Sequence, residues 1–231
     1  MKYINALIVL MLLSCTEEHI INGDVSGDFL FPLELNKKWN YVSHSIITYN
    51  NKNDTSGGGL NSNSYMVLTD TMTFKGEKWY RLWNSRIPPN PPGSIYSSLS
   101  TSSPLLPNGY YRSDSHNNTV LLLDSNDFEI IMPGRPVLGS YWPCLITENV
   151  NGNKTLNGFR SITALTTIQI GNIKYDSCWQ VNTYDSLKSN IYYIEYFKAN
   201  VGLIRWMRSI VSNDTIRTYQ LTIIDSNYAY K

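Results

Sequence analysis

Histidine and cysteine are scarce in this chain, with three of each among 231 residues. His19, His44 and His116 stand far apart with no second ligand at metal-binding spacing, so no metal site is expected. Asp24, Ser26 and Asp28 begin like a calcium loop, but Phe29 replaces the required glycine and Leu35 the bidentate glutamate; the run from Asp124 to Asp127 fails at Phe128, which stands at the fifth, ligand position. The chain contains no G-x-S-x-G, H-E-x-x-H or G-x-G-x-x-G, and Gly57-Gly58-Gly59 is not followed by Lys-Ser/Thr, so neither a cofactor nor an enzyme is expected. A carboxylate pair of the kind glycosidases use cannot be read from spacing, and a hydrolase with an unrecognised carboxylate site stays as an alternative. Basic clusters are also lacking. With 19 Lys+Arg against 18 Asp+Glu spread along the chain, neither a nucleic-acid partner nor a polybasic membrane contact is expected. The apolar run from Ala6 to Leu13 falls short of the roughly 20 residues that span a bilayer.

Aromatic residues are abundant at 13%, with 17 Tyr and 6 Trp. They sit in short alternating segments bounded by Gly, Asn, Asp and Ser, which predicts antiparallel strands. The clearest stretch is Tyr192 to Ile224. It reads as three strands turning at Lys198-Ala199-Asn200 with Gly202, and again at Ser212-Asn213-Asp214. In the last strand Tyr219, Leu221 and Ile223 face one way while Thr218, Gln220 and Thr222 face water. Earlier, a strand runs from Trp39 to Tyr49, and a hairpin turns at Lys75-Gly76 between Tyr65–Phe74 and Lys78–Trp83. Residues 86–108 carry Pro88, Pro89, Pro91 and Pro92 and a serine-rich middle, so that segment is a long loop. The expected class is all-β, an antiparallel sheet or sheets.

The second half echoes the first. Leu35-Asn36-Lys37-Lys38-Trp39 lines up with Leu138-Gly139-Ser140-Tyr141-Trp142, each a leucine, a turn and a tryptophan opening a strand. The hairpin at Gly76 lines up with one at Gly171, and Tyr110-Tyr111 before Val120 with Tyr192-Tyr193 before Val201. The spacing of about 80 to 105 residues is too long for a solenoid unit. Two similar halves, about 29–130 and 131–231, packed as one curved half-barrel or sandwich, are therefore expected within a β domain spanning 29–231.

Residues 1–14 have the plan of an export signal: Lys2, an apolar core from Ala6, and Leu12-Leu13-Ser14 before Cys15. Leu12-Leu13-Ser14-Cys15 resembles the lipobox of bacterial lipoproteins. The resemblance implies cleavage before Cys15, a diacylglycerol thioether and an N-acyl chain such as palmitate on that residue, and a membrane partner reached through the lipid. Residues 15–28 then read as a polar tether. Thr16, where inner-membrane retention commonly has Asp, implies an outer-membrane destination; Glu17-Glu18 is similar to a short acidic signal for the cell surface, which leaves the periplasmic face and the cell surface both open. More loosely, Pro32-Leu33 to Trp39, Tyr175 to Cys178-Trp179, and Tyr196 to Leu203 resemble β-rich envelope lipoproteins of unknown function, some similar to half-barrel lipoprotein carriers that hold an acyl chain.

Cys144 and Cys178 remain after Cys15. Export to an oxidising compartment would let them form a disulfide, while two buried thiols account for them equally simply. Trp79, Trp83, Tyr110 and Tyr111, beside the long loop, are the candidate binding aromatics if the protein holds a glycan. The function expected is a non-enzymatic binding or structural role at the envelope, with a glycan, a lipid or another envelope protein as the ligand classes left open and the oligomeric state unassigned.

Overall fold

The computed structural model describes residues 19–21, 31–49, 55–56, 62–85, 106, 108–123, 127–149, 153–185, 191–212 and 215–226. Cys15, the lipobox, the Gly57–Gly59 loop and nearly all of the 86–108 loop lie outside the described residues. No helix occurs among those that are described, so none could cross a membrane. The strands are β1 (His19–Ile21), β2 (Lys38–Tyr49), β3 (Thr55–Ser56), β4 (Ser62–Phe74), β5 (Glu77–Asn84), β6 (Gly109–Ser113) and β7 (Thr119–Leu122). They continue as β8 (Phe128–Met132), β9 (Tyr141–Asn149), β10 (Asn153–Ile170), β11 (Ile173–Asp185), β12 (Ile191–Lys198), β13 (Gly202–Ser212) and β14 (Thr215–Ser226).

Twelve of these form one antiparallel path in the order β8-β7-β6-β5-β4-β2-β14-β13-β12-β11-β10-β9. Apart from β8 and β9, strands of the path that follow one another in sequence pair, and the one long-range joint brings β2 to β14 in a ladder of eleven residue pairs. The two ends of the path, β8 and β9, lie side by side without a ladder, so the sheet curls into a barrel that is complete except for one seam. The expectation of an all-β antiparallel fold holds, and of the two architectures considered it is the curved sheet, nearly closed, and not the sandwich. Two short strands sit off the path. β3 pairs with β2, and β1 runs parallel to the start of β11, so three residues of the segment read as tether are docked on the barrel.

A single apolar core gathers one face of every strand in the path, from Trp39 and Tyr41 of β2 round to Leu221 and Ile223 of β14. Side chains thus fill the interior, the reverse of a water-filled membrane barrel. Tyr41 donates its hydroxyl to the Leu203 carbonyl at 3.0 Å and Trp39 its indole N–H to that of Val201 at 2.6 Å, satisfying both polar tips inside the core. The expected wet face of β14 is not fully wet. Thr222 is buried like Leu221 and Ile223, and Gln220 Nε2 donates to its hydroxyl at 2.8 Å.

The two Leu-turn-Trp segments form the same structure bond for bond. Asn36 N–H donates to Leu68 O at 2.8 Å and Leu68 N–H to Lys37 O at 3.0 Å; Gly139 N–H donates to Ile162 O at 2.8 Å and Ile162 N–H to Ser140 O at 3.0 Å. Asn36 and Gly139 both hold left-handed backbone, at φ 63 and 81, which Asn tolerates and Gly prefers. A bulge follows in each, between Leu68 and Asp70 and between Ile162 and Ala164. These matches make Trp39 the counterpart of Trp142. Through the β-ladders, they also make Met66 equivalent to Arg160 and Gly109 equivalent to Glu195, so Tyr110-Tyr111 corresponds to Tyr196-Phe197 and not to Tyr192-Tyr193.

Candidate functional site

The seam exists because β8 and β9 are poorly suited to pair. Pro143, in the middle of β9, has no N–H to offer a ladder and is confined to an edge strand. On β8, Thr119 faces Met132 while Val120 faces Ile130, so Ile131 is an extra, bulged residue. Side chains replace the missing ladder. Trp142 donates its indole N–H to Ile130 O at 2.8 Å, and Arg160, its cross-strand partner in β10, donates to Ile131 O at 3.0 Å. Two consecutive carbonyls of the β8 edge are capped in this way, which also protects the edge from pairing with a foreign strand.

Beside these caps the seam opens into a groove of about 310 Å³, lined by Leu123, Phe128, Glu129, Ile130, Trp142, Pro143, Cys144, Leu145, Asn157 and Gly158. Phe128 and Pro143 are exposed, whereas Glu129, Trp142 and Cys144 are buried. Alternate residues of a strand point to opposite faces, so walls drawn from both sets place the groove between the strands, leading from solvent to the barrel interior. Gly158 keeps the wall thin: a Cβ there would meet Ile146 Cδ1 and Tyr184 O at 2.6 Å.

At the inner end lies an ionic cluster within the apolar core. Arg160 pairs with Glu195 at 2.9 Å and reaches the Tyr193 hydroxyl at 3.4 Å. Arg160 and Glu195 are only 4% and 3% exposed, and Glu129 is 9% exposed. Burial opposes the guanidinium charge, but Glu195, Tyr193, Glu129 and Cys144 together hold Arg160 well above its ordinary range. Burial pushes Glu195 up even against the pull of Arg160. Glu129 is pushed up to about 7 by burial, with Arg160 pulling it down, Glu195 repelling its charge and a hydrogen bond from the Leu145 N–H favouring the carboxylate. Cys144, at the same wall, is raised to about 12 by burial and is inert as a thiol at neutral pH.

Among the sequence-predicted residues, only Cys144 belongs to this site. Cys178, in β11, is also a buried free thiol, pushed up to about 12 by burial and bonded to Tyr175 O at 3.4 Å, so the two cysteines are packed thiols. The four candidate aromatics do not form one surface row. Tyr111 points into the main core, while Trp79 is buried in a small second cluster with Val120 and Leu122, against which Tyr110 packs. Arg112 lies over the Trp79 ring at 4.9 Å, and Trp83 meets Tyr65 edge-on at 5.2 Å. Among the described residues no group of three or more His, Cys, Asp or Glu draws together as metal ligands would.

Sequence reading misses Arg160, Glu195 and Glu129. By alternation alone, Glu195 falls into an apolar strand face between Tyr193 and Phe197. The signal available is a lone charge at an inward position of an otherwise apolar strand, present in YYIEYF, FEIIM and GFRSI alike.

No protein family matches the chain, and no curated protein does. Among solved structures it matches a domain from Vibrio parahaemolyticus, named provisionally for outer membrane lipoprotein sorting. Identity is 10% over 84% of this chain and 87% of that one, with a TM-score of 0.19. No residue correspondence follows at that distance.

Proposed function

We propose that this is an outer-membrane lipoprotein, cleaved after residue 14 and acylated at Cys15, whose β domain is a non-enzymatic binding module. Two similar halves, 29–130 and 131–231, build that domain by tandem duplication, which the bond-for-bond match of the two strand starts supports. The observation that carries the binding role is the groove at the seam: apolar walls, a single carboxylate, and a volume at the lower end of small-molecule sites. Its ligand is a compact, largely apolar molecule. A glycan reading lacks a solvent-facing aromatic platform among Trp79, Trp83, Tyr110 and Tyr111. A hydrolase would need a second free carboxylate in the groove lining, and Glu195, behind the lining, is tied to Arg160.

The test combines both parts. Cys15→Ser is expected to move the protein from the membrane to the soluble fraction or to leave it unprocessed; unchanged partition and mass would remove the lipoprotein reading. The uncharged probe N-phenyl-1-naphthylamine should brighten on binding the wild-type chain and not a Leu145→Arg variant of equal melting temperature. Equal brightening in both would place the binding elsewhere.

A further inference from the structure

Three charges meet at the inner end of the groove, and they do not balance. Glu129 of β8 and Glu195 of β12 face one cation, Arg160 of β10. The remaining titratable neighbours, Tyr193 of β12, Tyr111 of β6 and Cys144 of β9, are all raised by burial and neutral at physiological pH. Arg160 spends one nitrogen on Glu195 at 2.9 Å and another on Ile131 O at 3.0 Å. Glu129, which lines the groove and accepts a hydrogen bond from the Leu145 N–H, has no cation of its own among the described residues.

The open seam accounts for Arg160, which caps Ile131 O, and for Glu195, which balances its charge. At the equivalent positions of the other half, where β2 is laddered to β14, Met66 stands in place of Arg160 and Gly109 in place of Glu195, with the buried but uncharged Asn84 and Asn108 beside them. Buried ion pairs add little stability compared with well-packed apolar side chains. Glu129 is a further buried carboxylate that balancing Arg160 does not require, and its place in the groove lining marks a binding site, in line with local rules being broken at functional positions.

We propose that the groove binds a small organic cation, a compact apolar body carrying an ammonium head that pairs with the Glu129 carboxylate. This rests on the groove being a ligand site and names the chemistry of its ligand. Phe128, Ile130, Pro143 and Leu145 supply the apolar outer walls, and the buried carboxylate the inner anchor. A desolvated carboxylate discriminates strongly, because an uncharged ligand of the same shape leaves it without a counter-charge.

The experiment is calorimetric titration of the full chain with three probes on the same scaffold: phenethylammonium, 2-phenylethanol and phenylacetate. At pH 7 the ammonium is expected to bind at least about fivefold tighter than the alcohol, the difference between a charge-assisted and a neutral hydrogen bond, with phenylacetate weakest. Its binding should release protons, read from titrations in two buffers of different ionisation enthalpy, and should strengthen from pH 6 to pH 8 as Glu129 ionises. Glu129→Gln should bring the ammonium down to the affinity of the alcohol and abolish proton release. If the alcohol binds as well as the ammonium, or Glu129→Gln leaves the preference intact, the cation proposal is wrong while the apolar groove stands. If none of the three binds, both fail. The pH profile of the wild-type chain decides the matter should the variant not fold.

Discussion

Glu129 shows how one side chain links the site to the stability of the whole chain. Its carboxyl has an ordinary value of 4.5 and is pushed up to about 7 in the fold. Between these values the folded chain holds a proton that the unfolded chain has released, so this residue's contribution is full below pH 4.5 and is lost as pH rises through 7. The loss across that window is on the order of 3 kcal/mol. Glu195, raised in the same direction, adds to the trend. Urea unfolding of the wild-type chain at pH 5 and pH 8 should therefore show lower stability at pH 8, and Glu129→Gln should flatten that difference. An unchanged pH difference in the variant would mean that Glu129 is not the titrating group.

The turns fix the elements, and two glycines separate conformational strain from steric overlap. Gly139 holds φ +81, and a Cβ placed there would meet nothing within 4 Å, so Gly139→Ala should cost about 1 kcal/mol, the left-handed penalty alone. At Gly134 a Cβ would overlap the backbone oxygen of His116, where nothing can give way. Gly134→Ala should cost more, roughly 2 to 3 kcal/mol, and it should loosen the β6–β7 turn, which holds this link through Asn118 Oδ1 at 2.8 Å. Chemical denaturation of the two variants compares the costs directly, and an equal loss would contradict the overlap. Turn chemistry was legible in the sequence for the same local reason. Lys75-Gly76, Gly171 and the Asn200–Gly202 turn all hold positive φ, and each closes the hairpin expected of it. The Leu-turn-Trp starts were legible too, since Asn36 and Gly139 meet the same backbone requirement with different residues.

At the scale of the whole molecule, local pattern runs out. That β14 zips onto β2 while the consecutive strands β8 and β9 stay apart depends on the curvature of twelve strands together. The groove and its ionic cluster arise only once that curvature brings β8, β9, β10 and β12 into one place. Composition indicated a β chain, and spacing indicated a repeat, but neither indicated where the repeat fails to close. Hydrogen exchange should map this difference. Amides of the eleven-pair β2–β14 joint should be the best protected, and those of β8 and β9 that face the seam the quickest to exchange among the barrel strands. Uniform protection round the barrel would show that the seam is as tightly held as a ladder.

If Cys15 is acylated as proposed, the docking of β1 on β11 sets which rim of the barrel lies nearest the membrane. His19 pairs with Ile173, next to the hairpin tip at Gly171 and Asn172. Four peptide units separate Cys15 from His19, about 14 Å at full extension. Acylated as proposed, Cys15 is a short mooring line that holds this rim of the barrel down on the lipid headgroups. Gly158, at the groove, lies roughly 40 Å along β10 from that tip. With that anchor the groove sits well away from the headgroups, and its ligand reaches it through water.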